Sequence, residues 1–302
     1  MMKLIAATYA PMSKAGELNL NVIPEYSKFL RHNKISGVFI NGSTGDFVSL
    51  STQERREILN AWSRNRVDNF YLINHVGHTN LREAVALAAD SVGKADAIAA
   101  LAPYYFTPKT LDSLLEYCTQ IAGAAPELPF YYYHIPVLTG VDMDMLEFSK
   151  RALQEIPNFA GLKFTEDNLE KFDAVRAFAG DTFEVYFGVD ERFHSSLQAG
   201  ATCWVGSTYN HLAPAYYKIA ELKEAGLHEE AANLQQKAVR FVEILAGFGG
   251  FPGASKSFMR QLGQDMGASR FPHKTLLDSE LKQVLEQFEP LGILPYLSET
   301  QP

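Results

Sequence analysis

Eight short apolar segments recur along the chain, each followed by an amphipathic stretch, and this alternation limits the possible folds most. The segments are Leu4–Tyr9, Gly37–Asn41, Phe70–His75, Ala97–Ala102, Phe130–His134, Gly161–Thr165, Glu184–Gly188 and Cys203–Gly206. Between them, apolar residues recur three and four positions apart, as in Ile23, Tyr26, Phe29 and Leu30, which indicates helices that bury one face. Eight strand–helix units predict a closed parallel (β/α)8 TIM barrel in the α/β class.

The composition of the segments supports a parallel sheet that is covered on both faces. Such strands read as continuous apolar runs, and Phe130–Tyr133 and Ala97–Leu101 fit this description. The alternative architecture is an open doubly wound sheet. That fold usually carries a glycine-rich nucleotide-binding turn after its first strand, whereas Pro11-Met12-Ser13 stands there in this chain.

The pattern after the eighth segment is wholly helical and too long for one closing helix. It covers residues from Pro214 to about Gly247, then Ala254–Leu262 and Glu280–Phe288. We therefore expect a barrel core over residues 1–213. Residues 214–302 would form the last barrel helix and a C-terminal helical extension, in a single structural unit with the core.

Charge and cysteine content exclude several classes of function. The formal net charge of the 302-residue chain is -8, and no cluster of lysine or arginine offers a surface for nucleic acid or an anionic membrane. The two cysteines, Cys118 and Cys203, lie far apart and predict a reducing, cytoplasmic compartment. The histidines lack the spacing of a helical metal site, so we expect no metal.

Polar residues follow the predicted strands at their carboxyl ends, where barrels of this kind carry their active sites. Lys163 stands out because it lies inside an apolar strand, Phe159–Phe164. A lysine that is removed from water favours the neutral amine, which is a nucleophile. The alternative is a structural lysine whose buried stem carries its ammonium to an acidic partner.

Other strand ends also offer functional groups, each with a structural alternative. Tyr133 could act as an acid or base, or pack with a satisfied hydroxyl group. The loop Gly42–Asp46 supplies two hydroxyl groups and backbone N–H groups that suit a carboxylate, or it is a plain turn. The pair Asp190-Glu191 could bind sugar hydroxyl groups or stabilise a helix N-terminus. The aromatic run Tyr104-Tyr105-Phe106 is either a pocket wall or an interface plug.

Together these motifs resemble the N-acetylneuraminate lyase branch of the dihydrodipicolinate synthase superfamily of class I aldolases. The motifs are Gly42-Ser43-Thr44-Gly45-Asp46, Tyr133-His134-Ile135-Pro136, Gly161-Leu162-Lys163-Phe164-Thr165, Gly188-Val189-Asp190-Glu191 and Gly206-Ser207-Thr208-Tyr209-Asn210. Each motif alone is weakly specific, but the five occur in the family's order and spacing from about Leu4 to the end of the barrel.

The resemblance implies a Schiff-base lyase that needs no cofactor. Lys163 would form an imine with the C2 ketone of open-chain N-acetylneuraminate, and a retro-aldol step would release N-acetylmannosamine and then pyruvate. The family's homotetramer would also be expected, with Tyr105 inserted into a neighbouring subunit's site. The implied catalytic residues are Lys163, Tyr133, Thr44 and Tyr105. The implied substrate-binding residues are Ser43, Thr44, Thr165, Gly188, Asp190, Glu191 and Ser207.

Three positions refine this expectation. Dihydrodipicolinate synthases usually carry an arginine where this chain has Leu138, and a leucine cannot bind a second carboxylate. Asp46 stands where the family usually has glutamate. His134 stands where many bacterial members have asparagine, which fits the animal-type branch.

Two other functions stay open at this point. The first is an aldolase or dehydratase of the same superfamily that acts on another 2-keto sugar acid with the same chemistry at Lys163 and Tyr133. The second is a catalytically silent barrel that binds a keto acid. A pure binding protein does not need a nucleophile, so the intact set of Lys163, Tyr133 and Thr44 argues against it.

Overall fold

The computed structural model describes residues 2–300, and its eight parallel strands close a barrel in sequence order. The strands are β1 (Lys3–Ala7), β2 (Gly37–Ile40), β3 (Tyr71–His75), β4 (Ala97–Leu101), β5 (Phe130–His134), β6 (Phe159–Phe164), β7 (Glu184–Phe187) and β8 (Cys203–Gly206). The predicted (β/α)8 fold is confirmed, and no strand boundary differs from the prediction by more than two residues.

Helices separate the strands and continue after β8. They are α1 (Ile23–His32), α2 (Thr52–Arg64), α3 (Leu81–Ser91), α4 (Leu111–Gly123), α5 (Pro136–Thr139), α6 (Met145–Glu155), α7 (Leu169–Ala179), α8 (Phe193–Gln198), α9 (Tyr209–Glu224), α10 (His228–Gly247), α11 (Phe251–Phe258) and α12 (Asp278–Leu291). Helices α10 to α12 supply the helical extension expected after the barrel.

The chain forms two compact units. The first holds Lys3, Tyr71–Val189 and Ser195–Val205, and the second holds Leu4–Phe70, Asp190–His194 and residues 206–300. The division expected near residue 213 stays a prediction.

In the first unit, a polar cluster surrounds the carboxylate of Glu184 at the start of β7. It accepts hydrogen bonds from the hydroxyl groups of Tyr131 at 2.6 Å and Tyr186 at 2.8 Å, and it pairs with the Lys3 ammonium at 2.9 Å. Burial acts to raise the pKa of the Glu184 carboxyl, but the bonds from Tyr131 and Lys3 outweigh it, so this pKa lies below its usual value. The cluster keeps an acid charged among aromatic rings.

In the second unit, a salt bridge joins the start of α2 to the loop after α11. The sequence Ser51-Thr52-Gln53-Glu54 has an acid three residues after a serine, which predicts a capping box at a helix start. The structure forms it, with each of the two side chains accepting a hydrogen bond from the other residue's backbone N–H. The guanidinium of Arg270 binds the Glu54 carboxylate and also donates to the carbonyl oxygens of Ser49 and Gly16. Arg270 thus connects its own loop to Gly16 and to the segment from Ser49 to Glu54.

Both cysteines are buried free thiols. Burial raises the pKa of Cys118 above its usual range and that of Cys203 to about 12. Among the described residues, no helix is long and apolar enough to cross a membrane.

We expect Glu54→Gln to lower the free energy of unfolding at pH 7 by about 1–3 kcal/mol. The hydrogen bonds from Arg270 hold the pKa of the Glu54 carboxyl down to about 2 in the folded chain. Its contribution is therefore complete above the ordinary pKa of 4.5 and declines as the pH falls toward 2. Urea titrations at several pH values check this, with Glu57→Gln on the same helix as the control. The expectation would be contradicted if the wild type and the variant differed in free energy of unfolding as much at pH 2 as at pH 7.

Candidate active site

The side chains of Lys163 and Tyr133 pack together on the adjacent strands β5 and β6. The two residues are register partners, and the Lys163 Nζ lies 3.8 Å from the centroid of the Tyr133 ring. Both side chains are almost fully buried. Sequence reasoning named each residue separately, and the structure brings the predicted nucleophile and the predicted proton-transfer group into contact.

A bulge in β6 sets the direction of Lys163. The register between β5 and β6 shifts at Phe130/Tyr131, so Ala160 has no partner of its own in this pairing. Gly161 then has a φ of 144°, and a Cβ atom there would lie 1.8 Å from the carbonyl oxygen of Glu184 on β7. Only glycine permits this close approach, which explains the glycine two residues before the lysine.

His75, at the end of β3, supports Tyr133 from another side. Its ring meets the Tyr133 ring edge-on, with 5.9 Å between centroids. Its Nε2 accepts a hydrogen bond from the backbone N–H of Leu101 at 3.3 Å, so that nitrogen is the unprotonated one. A neutral histidine in this place restricts the position of the phenol.

Thr165 and Gly188 lie side by side beyond β6 and β7. A Cβ atom on Gly188 would lie 2.1 Å from the Thr165 Oγ1, so the glycine makes room for that hydroxyl group. The Thr165 Oγ1 is buried and has no hydrogen-bond partner among the residues that the structure describes. A buried hydroxyl group without a partner is costly unless a ligand or water completes it.

In the second unit, Ser43 and Thr44 lie in a single 3₁₀ turn, Ser43–Gly45, directly after β2. Both residues are half-buried. Gly45 packs against the backbone of β1, because a Cβ atom there would lie 2.9 Å from the carbonyl oxygen of Thr8. The turn ends at Asp46, which has the left-handed backbone conformation at φ 64°.

Asp190 of the second unit is buried, whereas its neighbour Glu191 is exposed. The Oδ2 of Asp190 accepts hydrogen bonds from the backbone N–H of Thr208 at 2.9 Å and from its Oγ1 at 2.7 Å. The Thr208 hydroxyl group also lies 2.7 Å from the Tyr216 hydroxyl group. These contacts fix the carboxylate, and Ser207, which is half-buried, precedes the threonine that holds it.

The predicted plug residues project into solvent. Tyr105 is 79% exposed and Phe106 is 86% exposed, and their rings pack edge-on against each other. In the same unit, Leu138 of α5 is also exposed.

Within residues 2–300, one group of side chains has the spacing of metal ligands, namely His134, Asp142 and Glu166 in the first unit. His134 Nε2 lies 3.0 Å from Glu166, while the Lys171 ammonium contacts Glu166 at 2.8 Å and Asp142 at 3.2 Å. Burial lowers the pKa of His134, and Glu166 opposes this only in part. A lysine thus balances the two acids, and the group is a network of ion pairs.

The sequence predicts His75 to be a structural hydrogen-bonding residue rather than a base, and its bond with Leu101 fits that prediction. Sequence reasoning missed three other residues that shape these sites. Glu184 was noted only as the start of a strand, and Thr208 only as part of a motif. Lys256 is nearly fully buried and binds Asp46 at 2.9 Å. The one local signal for Lys256 is its place among small residues, Gly253-Ala254-Ser255, on a helix that can pack closely.

The sequence profile of the Dihydrodipicolinate synthetase family matches residues 1–289. This match spans nearly the whole chain. The chain belongs to the Dihydrodipicolinate synthetase family.

Within that family, the chain is similar to proteins named N-acetylneuraminate lyase. The Homo sapiens N-acetylneuraminate lyase is 39% identical over 275 residues, which cover 89% of this chain and 86% of the human protein. Among solved structures, the Proteus mirabilis N-acetylneuraminate lyase has a TM-score of 0.91 at 31% identity, covering 96% of this chain and 98% of its own. The Aliivibrio salmonicida N-acetylneuraminate lyase (sialic acid aldolase) gives the same score and identity, covering 96% and 97%.

We expect Gly161→Ala to destabilise the fold by more than about 2 kcal/mol, because a buried backbone atom blocks the added methyl group. Thermal unfolding measures the effect. Gly247→Ala is the matched control, since a Cβ atom there meets nothing within 4 Å and the residue ends helix α10. The expectation fails if both variants melt at the wild-type temperature.

Proposed function

We propose that this chain cleaves N-acetylneuraminate to N-acetylmannosamine and pyruvate through a Schiff base on Lys163. The observation that carries the proposal is the contact between the buried Lys163 amine and the Tyr133 phenol. Membership of the Dihydrodipicolinate synthetase family and the likeness to N-acetylneuraminate lyases support the same reaction.

The chemistry follows from an amine held out of water. The Lys163 Nζ attacks the C2 carbonyl carbon of the open-chain substrate, and loss of water gives a protonated imine. A base removes the proton of the C4 hydroxyl group, the C3–C4 bond breaks, and its electron pair moves toward the imine nitrogen. N-acetylmannosamine leaves with the new aldehyde. Protonation of the enamine at C3 and hydrolysis of the imine release pyruvate and restore the amine.

Tyr133 is the group we assign to proton transfer at the C4 hydroxyl. Its ring lies against Lys163, and His75 restricts it from the side. By the family resemblance, Thr44 and Tyr105 extend the path of hydroxyl groups through which the proton moves, with Tyr105 supplied by a neighbouring subunit.

The remaining predicted residues divide between the two halves of the substrate. Ser43 and Thr44 would bind the carboxylate through their hydroxyl and N–H groups. The others would bind the hydroxyl groups of the sugar half, and they are Thr165, Gly188, Asp190, Glu191 and Ser207. The buried hydroxyl group of Thr165 and the oriented carboxylate of Asp190 suit this role.

Leu138 bears on the choice of substrate. A leucine offers no bidentate partner for a second carboxylate, which disfavours the substrates of dihydrodipicolinate synthases. The alternative is another 2-keto sugar acid cleaved by the same chemistry, because only the residues that contact the sugar half would differ.

We further propose a homotetramer that needs no cofactor and works in a reducing, cytoplasmic compartment. The exposed Tyr105 and Phe106 favour an apolar contact with a second copy of the chain, and the free thiols fit a reducing compartment. Light scattering checks the assembly, since a tetramer has four times the 33.6 kDa mass of the chain. A monomer at all concentrations would contradict it.

Lys163→Ala should fold normally yet lose nearly all turnover, because the nucleophile is gone. Borohydride treatment in the presence of pyruvate, followed by mass spectrometry, should find the reduced adduct on Lys163 of the wild type and none in the variant. Lys150→Ala on α6 is the control. Near-normal turnover of Lys163→Ala would overturn the mechanism. If the wild type forms the adduct but does not cleave N-acetylneuraminate, the Schiff-base chemistry stands and the substrate is another sugar acid.

We expect Tyr133→Phe to reduce kcat by at least about 100-fold while KM changes much less, because the phenol acts in proton transfer. Steady-state kinetics of pyruvate release measure both constants. Tyr132→Phe is the matched control, since this neighbour points to the opposite face of β5 and packs on Phe148. A rise in KM with an unchanged kcat would show that Tyr133 binds the substrate and does not transfer the proton.

A further inference from the structure

A fully buried ion pair connects helix α11 to the loop that carries Ser43 and Thr44. The Lys256 Nζ lies 2.9 Å from the Asp46 Oδ2, and the side chains are only 2% and 4% exposed. The partners stand 210 residues apart in sequence. Neither belongs to the catalytic pair of β5 and β6.

The burial of this pair points to a purpose other than stability. The free energy needed to remove two charges from water offsets much of their electrostatic attraction. A well-packed pair of apolar side chains can therefore be as stable as the ion pair. An ion pair does restrict geometry, because a buried carboxylate must lie where the cation that binds it lies. Lys256 therefore determines where the Asp46 side chain lies.

Asp46 in turn determines the shape of the turn before it. Its backbone is left-handed, with φ 64° and ψ 5°, a conformation that costs energy for any residue except glycine. Its carbonyl oxygen accepts a hydrogen bond from the Ser49 N–H at 2.6 Å. Gly45 rests on the β1 backbone, so the turn Ser43–Gly45 is held between that strand and the Lys256–Asp46 pair.

Lys256 is itself held from both sides along α11. The Tyr9 hydroxyl group donates to the Ser255 Oγ at 2.9 Å, and the Leu276 N–H donates to the Ser257 Oγ at 2.9 Å. The ring of His211 lies 3.0 Å from the Ser255 carbonyl oxygen. Burial lowers the pKa of His211 to about 4, so this ring stays neutral and adds no second charge beside the helix.

We propose that Lys256 is a positioning residue that, through Asp46, fixes the turn of Ser43 and Thr44 for the carboxylate of the keto acid. The helical extension thereby takes part in recognition of the pyruvate half of the substrate. This inference rests on the proposed function, in which Ser43 and Thr44 bind that carboxylate.

Binding of pyruvate and binding of N-acetylmannosamine can be compared to distinguish this positioning role from a role in the stability of the fold alone. Only the pyruvate half carries the carboxylate, so a displaced turn weakens the binding of pyruvate and leaves N-acetylmannosamine unaffected. A loss of folded protein would lower activity but leave both Michaelis constants of the remaining enzyme unchanged.

The experiment measures KM for pyruvate and for N-acetylmannosamine in the condensation direction, with the pyruvate dependence of borohydride trapping as a readout that needs no sugar. The variants are Lys256→Met, Asp46→Asn, the double variant with both changes, and Asp46→Glu. Thr44→Val is the benchmark for direct loss of a carboxylate contact. Val284→Ala, in the buried face of α12, is the control for destabilisation alone.

We expect Lys256→Met and Asp46→Asn each to raise the KM for pyruvate, and the pyruvate concentration that gives half-maximal trapping, about 10-fold. This loss is similar to that of one charge-assisted contact. KM for N-acetylmannosamine should stay within about twofold in the same variants. The double variant should be more thermally stable than either single variant, because it leaves no buried charge without a partner. Its KM for pyruvate should stay as high as in the single variants. Asp46→Glu retains the carboxylate and should restore the pyruvate value toward that of the wild type.

Wild-type values for pyruvate in the double variant would overturn the proposal, even if the single variants fail to fold. Equal impairment of Asp46→Glu and Asp46→Asn would also overturn it. If the wild type traps pyruvate but does not cleave N-acetylneuraminate, the substrate assignment fails while trapping still tests Lys256. A wild type that traps no pyruvate overturns both proposals.

Discussion

The close approach of β6 and β7 at Gly161 is the constraint on which the geometry of Lys163 depends. The missing side chain at this position lets the carbonyl oxygen of Glu184 come near, and the bulge beside it shifts the register against β5. Lys163 thereby becomes the register partner of Tyr133, with its amine against the ring. A strand without the bulge would turn alternate residues to the opposite face.

The first unit holds two kinds of polar group, and both include a tyrosine of β5. Glu184, Tyr131 and Lys3 satisfy one another completely enough to keep an acid ionised, which is a structural use of charge. Two residues beyond Tyr131 on β5, Tyr133 packs against the amine of Lys163 on β6. This second group carries the roles that the proposed function assigns to a nucleophile and a proton-transfer group.

Much of the fold and part of the site could be predicted from the sequence, for reasons that are local. The strands were recognised because each is a continuous apolar run, and Lys163 because a lysine interrupts such a run. The Ser51–Glu54 capping box was recognised because its partners are three residues apart. Lys256 and Thr208 were not recognised as partners of buried acids, since Asp46 and Asp190 are distant from them in sequence. No pattern along a single chain records which distant side chains will meet.

The burial of Cys118 and Cys203 has a practical consequence. Both thiols are held protonated by their apolar surroundings, and the thiolate is the form that alkylating reagents and peroxides attack. Neither cysteine lies among the groups proposed for catalysis, where the proposed nucleophile is the Lys163 amine. A thiol-directed label added to this protein will therefore react only when the barrel opens. The rate of labelling then measures the frequency of local unfolding around the two cysteines.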